Sequence, residues 1–169
     1  MDEKTTEYTC GVLTLSDKGS RGEREDTSGP VLKQMLTEQG YKIVAYEIIP
    51  DQQDLIESTL CIWVDEKQID LIITTGGTGV APSDRTPEAT RKVLDLEIPG
   101  IGEAMRQASL AKTPQAIWSR GVAGIRGESL IINLPGSERA ARENIEVVLP
   151  ALAHGLYKLK GGKADCGGT

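Results

Sequence analysis

Short apolar runs alternate with amphipathic stretches along the whole chain, and this rhythm predicts an α/β fold. Residues 9–15, Thr-Cys-Gly-Val-Leu-Thr-Leu, read as a strand ending at Ser16-Asp17, with a polar, charged loop running on to Asp26. Thr27 or Ser28 is expected to cap a helix that has Pro30 in its first turn, Val31, Leu32, Met35 and Leu36 on one face, and Gly40 at its end. Residues 41–49 predict a second strand. Pro50-Asp51-Gln-Gln-Asp54 then predicts a helix start, with Leu55, Ile56, Thr59, Leu60 and Trp63 on the buried side. Residues 70–74 are apolar without alternation, which suits a strand covered on both faces of a parallel sheet.

The second half repeats the pattern. Thr86-Pro87-Glu88 and Pro99-Gly100-Ile101-Gly102-Glu103 each open a helix, the second aligning Ile101, Met105 and Ala108. Residues 116–126 read as short, glycine-broken β structure, and 129–134 as another buried strand. A last helix follows Pro135-Gly136-Ser137-Glu138. It carries the stripe Ala141, Ile145, Val148, Leu152, Leu156, Leu159, and Pro150 predicts a kink. The expected architecture is a three-layer α/β fold, a mainly parallel sheet with helices on both faces. Residues 1–160 are expected to form one domain, without internal repeat or linker, and 161–169 a flexible glycine-rich tail.

Composition narrows the picture. The chain has 169 residues and no Phe, so its core rests on Ile, Leu, Val and Ala. The net charge of −6 argues against nucleic acid, which demands a cationic surface. Cys10, Cys61 and Cys166 are widely spaced, form no metal cluster with the single histidine, His154, and fit reduced thiols in the cytoplasm. The first residues lack the apolar stretch of a signal peptide, and no run is long enough to span a membrane.

The chemistry concentrates at three predicted strand ends: Ser16-Asp17, Gly76-Gly77-Thr78-Gly79 and Leu134-Pro135-Gly136-Ser137. In an open α/β sheet, ligands bind beyond the carboxyl ends of the strands, so the three loops are expected to share one crevice. A glycine turn leading toward a helix offers backbone N–H groups to phosphate. This turn is not a Walker A loop, because no Gly-Lys-Ser/Thr ends it, and it is not G-x-G-x-x-G either. Asp84 follows it closely, and reads either as a loop carboxylate or as a magnesium ligand. Asp51 reads as a helix cap on spacing alone. Arg120, beside Ser119, is either a solvated charge or an anion clamp. Arg106 reads as an exposed partner of Glu103, and His154 as a surface or interface residue.

Taken in order, these segments resemble the Mog-type (MogA/MoaB) molybdopterin adenylyltransferases, the family that includes the G domains of gephyrin and the plant Cnx proteins. The matching pieces are Leu15-Ser16-Asp17, Asp26-Thr-Ser28-Gly29-Pro30, Ile49-Pro50-Asp51, Thr74-Thr-Gly-Gly-Thr-Gly79 and Asp84-Arg-Thr86-Pro87-Glu88-Ala89-Thr90. Pro99-Gly100-x-Gly102-Glu103-x-Met105-Arg106, Ser119-Arg120, residues 130–137 and His154 complete the set. The resemblance implies Mg-ATP-dependent transfer of AMP to the terminal phosphate of molybdopterin, with release of pyrophosphate. It implies Asp51 and Asp84 as essential carboxylates that hold Mg2+, and Ser16, Asp17, Gly76, Gly77, Thr78, Gly79, Ser119, Arg120, Pro135, Gly136 and Ser137 as the lining for ATP and molybdopterin. It further implies a homotrimer, and hand-over of product to a molybdate-inserting enzyme. A non-catalytic pterin-binding or scaffold protein of the same fold is the alternative. One position departs from the family: many members have an arginine directly before the Asp84 equivalent, where this chain has Ser83, with Arg85 following instead.

Overall fold

A computed structural model of the chain describes residues 7–163. Cys166 and most of the expected tail lie outside the described residues. The strands are β1 (Thr9–Leu15), β2 (Lys42–Ile49), β3 (Leu71–Thr75), β4 (Leu96–Glu97), β5 (Ala123–Arg126) and β6 (Ser129–Leu134), in sheet order β2-β1-β3-β6-β5-β4. The first four in that order pair in parallel; β5 and β4 close one edge antiparallel. The α/β expectation holds, as do the strands at 9–15 and 129–134.

The layers follow from the two-residue period of the strands. Cys10, Val12, Leu71, Ile73, Leu130, Ile132 and Leu134 point to one face. There they meet α2 (Ser28–Glu38), α5 (Pro99–Leu110) and α6 (Glu138–Leu159). Leu13, Leu15, Ile72 and Ile131 point to the other, against α3 (Gln53–Cys61), α4 (Thr86–Val93) and Trp63. Gly11 has to be a glycine on that second face, because a Cβ there would lie 2.6 Å from Trp63 Cζ3. Trp63 itself sits in a π-helical turn, Ile62–Glu66, that prolongs α3.

Several local expectations are corrected. The segment after β1 is not all loop: α1 (Asp17–Ser20) forms a single turn, capped by Ser16 Oγ accepting the Gly19 N–H at 3.0 Å. Neither Thr27 nor Ser28 caps α2. The Asp26 carboxylate takes the Gly29 N–H at 3.1 Å instead. Leu55 is exposed, since only Ile56, Thr59 and Leu60 of α3 turn inward. Residues 114–118 form a 3-10 turn rather than β structure, and strand begins only at Ala123. Pro150 lies within α6 without dividing it.

The chain runs from β1 outward to β2, then crosses back to β3 on the other side of β1. That reversal opens a crevice beyond the carboxyl ends of β1 and β3.

Candidate active site

The three expected loops do converge there. Gly76 N–H donates to Leu134 O at 3.1 Å, and a Cβ on Gly136 would lie 3.2 Å from Gly76 Cα, so the β3 and β6 turns touch. Thr75 Oγ1 donates to Pro135 O at 2.7 Å and secures the same junction. Ser16 N–H donates to Ile49 O at 2.9 Å, and Asp17 Oδ1 accepts the Asp51 N–H at 3.0 Å. The β1 turn is thereby joined to the segment that carries Asp51. Ser137 is the outlier of the set: it is exposed, and its Oγ caps α6 by accepting the Ala140 N–H at 3.3 Å.

A buried cap underlies this junction. Burial pushes the Asp26 carboxyl up, but hydrogen bonds from Tyr46, Thr14, Gly29 and Ser28 outweigh it and leave the group below its ordinary value. Every donor there is matched, so Asp26 ties α2 to β1 and β2.

The glycine turn is shaped for an anion. Gly76 and Gly77 have φ of +103° and +66°, a left-handed backbone that glycine adopts without strain. Among the described residues no acceptor takes the N–H of Gly77, Thr78 or Gly79. Gly77 is also obligatory for space, because a Cβ would collide with Asp51 Oδ2 and Thr86 Oγ1.

Asp51 does not cap α3; Gln52 stands at that position without a side-chain bond. The Asp51 carboxylate reaches across to α4, where Oδ1 accepts the Arg85 N–H at 3.1 Å. Burial drives its pKa from 3.8 to about 6, and the nearby charges of Asp84, Asp17 and Glu88 push the same way, against the Arg85 hydrogen bond. Asp84 is half-buried, with Oδ2 accepting the Ala81 N–H at 2.9 Å, and it abuts Gly79. Thr86 is fully buried, and its hydroxyl has no partner. The sequence marks Thr86 and Glu88 only as a helix start. Nothing in their spacing signals an orphaned hydroxyl, which depends on segments distant in sequence, Gly77 and Asp51 among them, packing beside it.

These donors suit a small hard cation. Acidic groups outnumber bases around Asp51, a hydroxyl is left unpaired beside it, and oxygen is the only ligand chemistry present. Among the described residues no group of three or more His, Cys, Asp or Glu could hold a metal unaided. Mg2+ fits this arrangement, because it takes one or two carboxylates and completes its shell with phosphate and water.

Arg120 lines a cleft of about 260 Å3 with Asp84, Arg85, Glu88 and the Val80–Pro82 loop. Ser119 flanks it, its N–H donating to Ala116 O at 3.1 Å. Arg106 does not pair with Glu103. Its Nη1 donates to Gly121 O at 2.9 Å and holds the loop that leads into β5. His154 lies on the exposed side of α6.

Comparison with known proteins agrees with this fold. Residues 11–154 match the family described as "Probable molybdopterin binding domain". The chain is 50% identical over 146 residues to a molybdopterin adenylyltransferase of Helicobacter pylori (strain J99), covering 85% of this chain and 83% of that protein. It is 44% identical over 153 residues to the molybdopterin adenylyltransferase of Escherichia coli K12, covering 87% and 78%. Among solved structures, the molybdopterin biosynthesis enzyme MoaB of Thermus thermophilus superposes with a TM-score of 0.87 at 52% identity, over 91% of this chain and 97% of that one.

Proposed function

The chain belongs to the molybdopterin-binding family matched by residues 11–154, and from that premise we infer that it is a molybdopterin adenylyltransferase of molybdenum cofactor biosynthesis. ATP and molybdopterin are its substrates. An oxygen of the terminal phosphate of molybdopterin attacks the α-phosphorus of ATP. The bond from that phosphorus to the bridging oxygen breaks, and pyrophosphate leaves with the electron pair.

The observation that carries this reading is a juxtaposition: three unpaired N–H groups, of Gly77, Thr78 and Gly79, beside two carboxylates, Asp51 and Asp84, that form no ion pair among the described residues. Two anionic reactants repel each other, so catalysis here is mostly positioning and charge neutralisation. The N–H groups bind phosphate oxygens and accept the charge that develops on them. Asp51 and Asp84 would hold magnesium, which would supply positive charge to the bound phosphates. Ser16, Asp17, Pro135 and Gly136 shape the crevice. No general base is needed, because a phosphate monoester with a second pKa of about 6 is already largely ionised near neutral pH.

Further parts of the reading are a single domain over residues 1–160 with a tail at 161–169 and a cytoplasmic location, which rest on length, composition and the widely spaced cysteines, and a homotrimer and hand-over of product to a molybdate-inserting enzyme, which rest on the family resemblance. Among the described residues no helix is long and apolar enough to cross a membrane. Sedimentation at micromolar concentration checks the trimer, and a monomer would refute it.

The function is tested by following pyrophosphate release with molybdopterin and Mg-ATP. Adenylylated molybdopterin and pyrophosphate in equal amounts are expected. Tight molybdopterin binding with neither product would favour the scaffold alternative.

A further inference from the structure

Arg120 lies between the 3-10 turn and β5, and its backbone N–H donates to Thr78 O at 2.8 Å. Each of its three guanidinium nitrogens then donates to one protein acceptor. Nε donates to Gly79 O at 2.7 Å, Nη2 donates to Asp84 O at 3.0 Å, and Nη1 pairs with Glu88 Oε1. Gly79 and Asp84 bound the exposed segment 80–83, and Glu88 stands in the first turn of α4. One planar fork therefore fastens both ends of the segment to the helix behind it. A guanidinium offers donors in fixed directions, whereas an ammonium is a single point charge and cannot satisfy three divergent acceptors.

The fastening bears on both carboxylates of the site. The Asp84 side chain is held from within the segment, through the Ala81 N–H, and the Asp84 N–H returns a bond to Ala81 O at 2.9 Å. The next peptide, Asp84-Arg85, supplies the N–H that holds Asp51 Oδ1. Arg120 Nη2 grips the carbonyl of that same peptide. A shift of the Asp84 carbonyl would thus move Asp84 and release Asp51 together. Three of the five guanidinium N–H groups are thus committed to holding the segment, one from each nitrogen.

We propose that Arg120 is a positioning residue for adenylyl transfer: it fixes the 79–84 segment, and through it Asp84 and Asp51. The proposal deepens the adenylyltransferase reading and rests on it.

Arg120→Lys keeps the charge and breaks the fork. Its kcat is expected to fall by about tenfold or more, while KM for ATP and for molybdopterin changes less than about threefold. In the protein without substrates, amide exchange at Ala81, Asp84 and Arg85 is expected to accelerate by about tenfold or more, with β1, β3 and β6 unaffected. Glu88→Gln keeps an acceptor for Nη1 but removes its charge, and is expected to lower kcat by a smaller factor. A KM raised about tenfold with kcat preserved in Arg120→Lys would overturn the proposal. So would a lowered KM in Glu88→Gln, the sign of a freed guanidinium binding substrate better, or unchanged exchange in Arg120→Lys. The exchange experiment needs no turnover. Absence of pyrophosphate release from the wild-type chain would count against the adenylyltransferase reading, and the exchange result would still judge the strap.

Discussion

Two aspartates at opposite ends of the parallel strands show how differently one side chain can be housed. Asp70 precedes β3, at the amino end of the sheet. Its carboxylate accepts the Thr9 N–H at 2.8 Å and Thr9 Oγ1 at 2.9 Å, and pairs with Lys160. Burial pushes its pKa up, but Lys160 and Thr9 more than offset this and hold it below the ordinary value. Asp51 follows β2, at the carboxyl end. It has one backbone donor from Arg85, acidic neighbours, and a pKa of about 6. The Asp70 end is arranged for stability. The Asp51 end leaves charge uncompensated by basic side chains, which is what the proposed cation site requires.

The largest expected difference is in turnover. Asp51→Asn and Asp84→Asn should each lower pyrophosphate release by more than about 100-fold, since each removes a carboxylate proposed to hold the metal. Asp70→Asn should leave turnover within about threefold of wild type, because Asp70 lies at the other end of the sheet. A large activity loss in Asp70→Asn with the fold intact would break the comparison.

Stability should respond in the reverse order. Asp70→Ala leaves the Thr9 N–H and Lys160 without their acceptor and should cost about 2 kcal/mol in chemical denaturation. An unchanged midpoint would remove the structural role assigned here to Asp70.

The pH dependence sharpens the contrast, and the two signs oppose. Asp51 has its folded pKa raised, so the folded state binds the proton more tightly, and its contribution to stability falls as pH rises from about 4 to about 6. Asp70 has its folded pKa lowered. Its contribution is complete above its unfolded value of about 4 and is lost as pH falls through the folded value. Turnover should decline about tenfold per pH unit below the Asp51 pKa. Added Mg2+ should move that limb to lower pH, because metal and proton compete for the same oxygens. A limb that ignores the Mg2+ concentration would contradict Asp51 as a metal-holding group.

The smallest effect expected is a gain. Asn at position 51 carries no charge to be repelled and can still accept the Arg85 N–H, so Asp51→Asn should stabilise the free protein at pH 7. After allowance for solvent screening of a half-exposed group, the gain is about 1 kcal/mol.

The same contrast governs how much is legible in the sequence. Strands β1 and β6 can be read because apolar runs bounded by turn residues leave little choice, and the α6 stripe because its spacing repeats over many turns. The convergence of the three loops follows from topology. Asp51 reads as a cap because a cap and a ligand carboxylate share one local pattern; what separates them is the Arg85 N–H, 34 residues away. Asp26 takes the cap expected of Thr27 or Ser28 because Thr14 and Tyr46, from two other strands, fix its carboxylate. The orphaned Thr86 hydroxyl and the Arg120 fork depend likewise on contacts between distant segments, which periodicity does not encode.

The most direct test of the central claim measures pyrophosphate release and melting temperature on Asp51→Asn and the wild-type chain in parallel, at pH 7 and without Mg2+ in the melt. Turnover should be abolished while the melting temperature stays level or rises. Retained turnover, or a lost turnover accompanied by a fall in melting temperature like that of Asp70→Ala, would contradict the assignment of Asp51 to the site and return it to the framework of the fold.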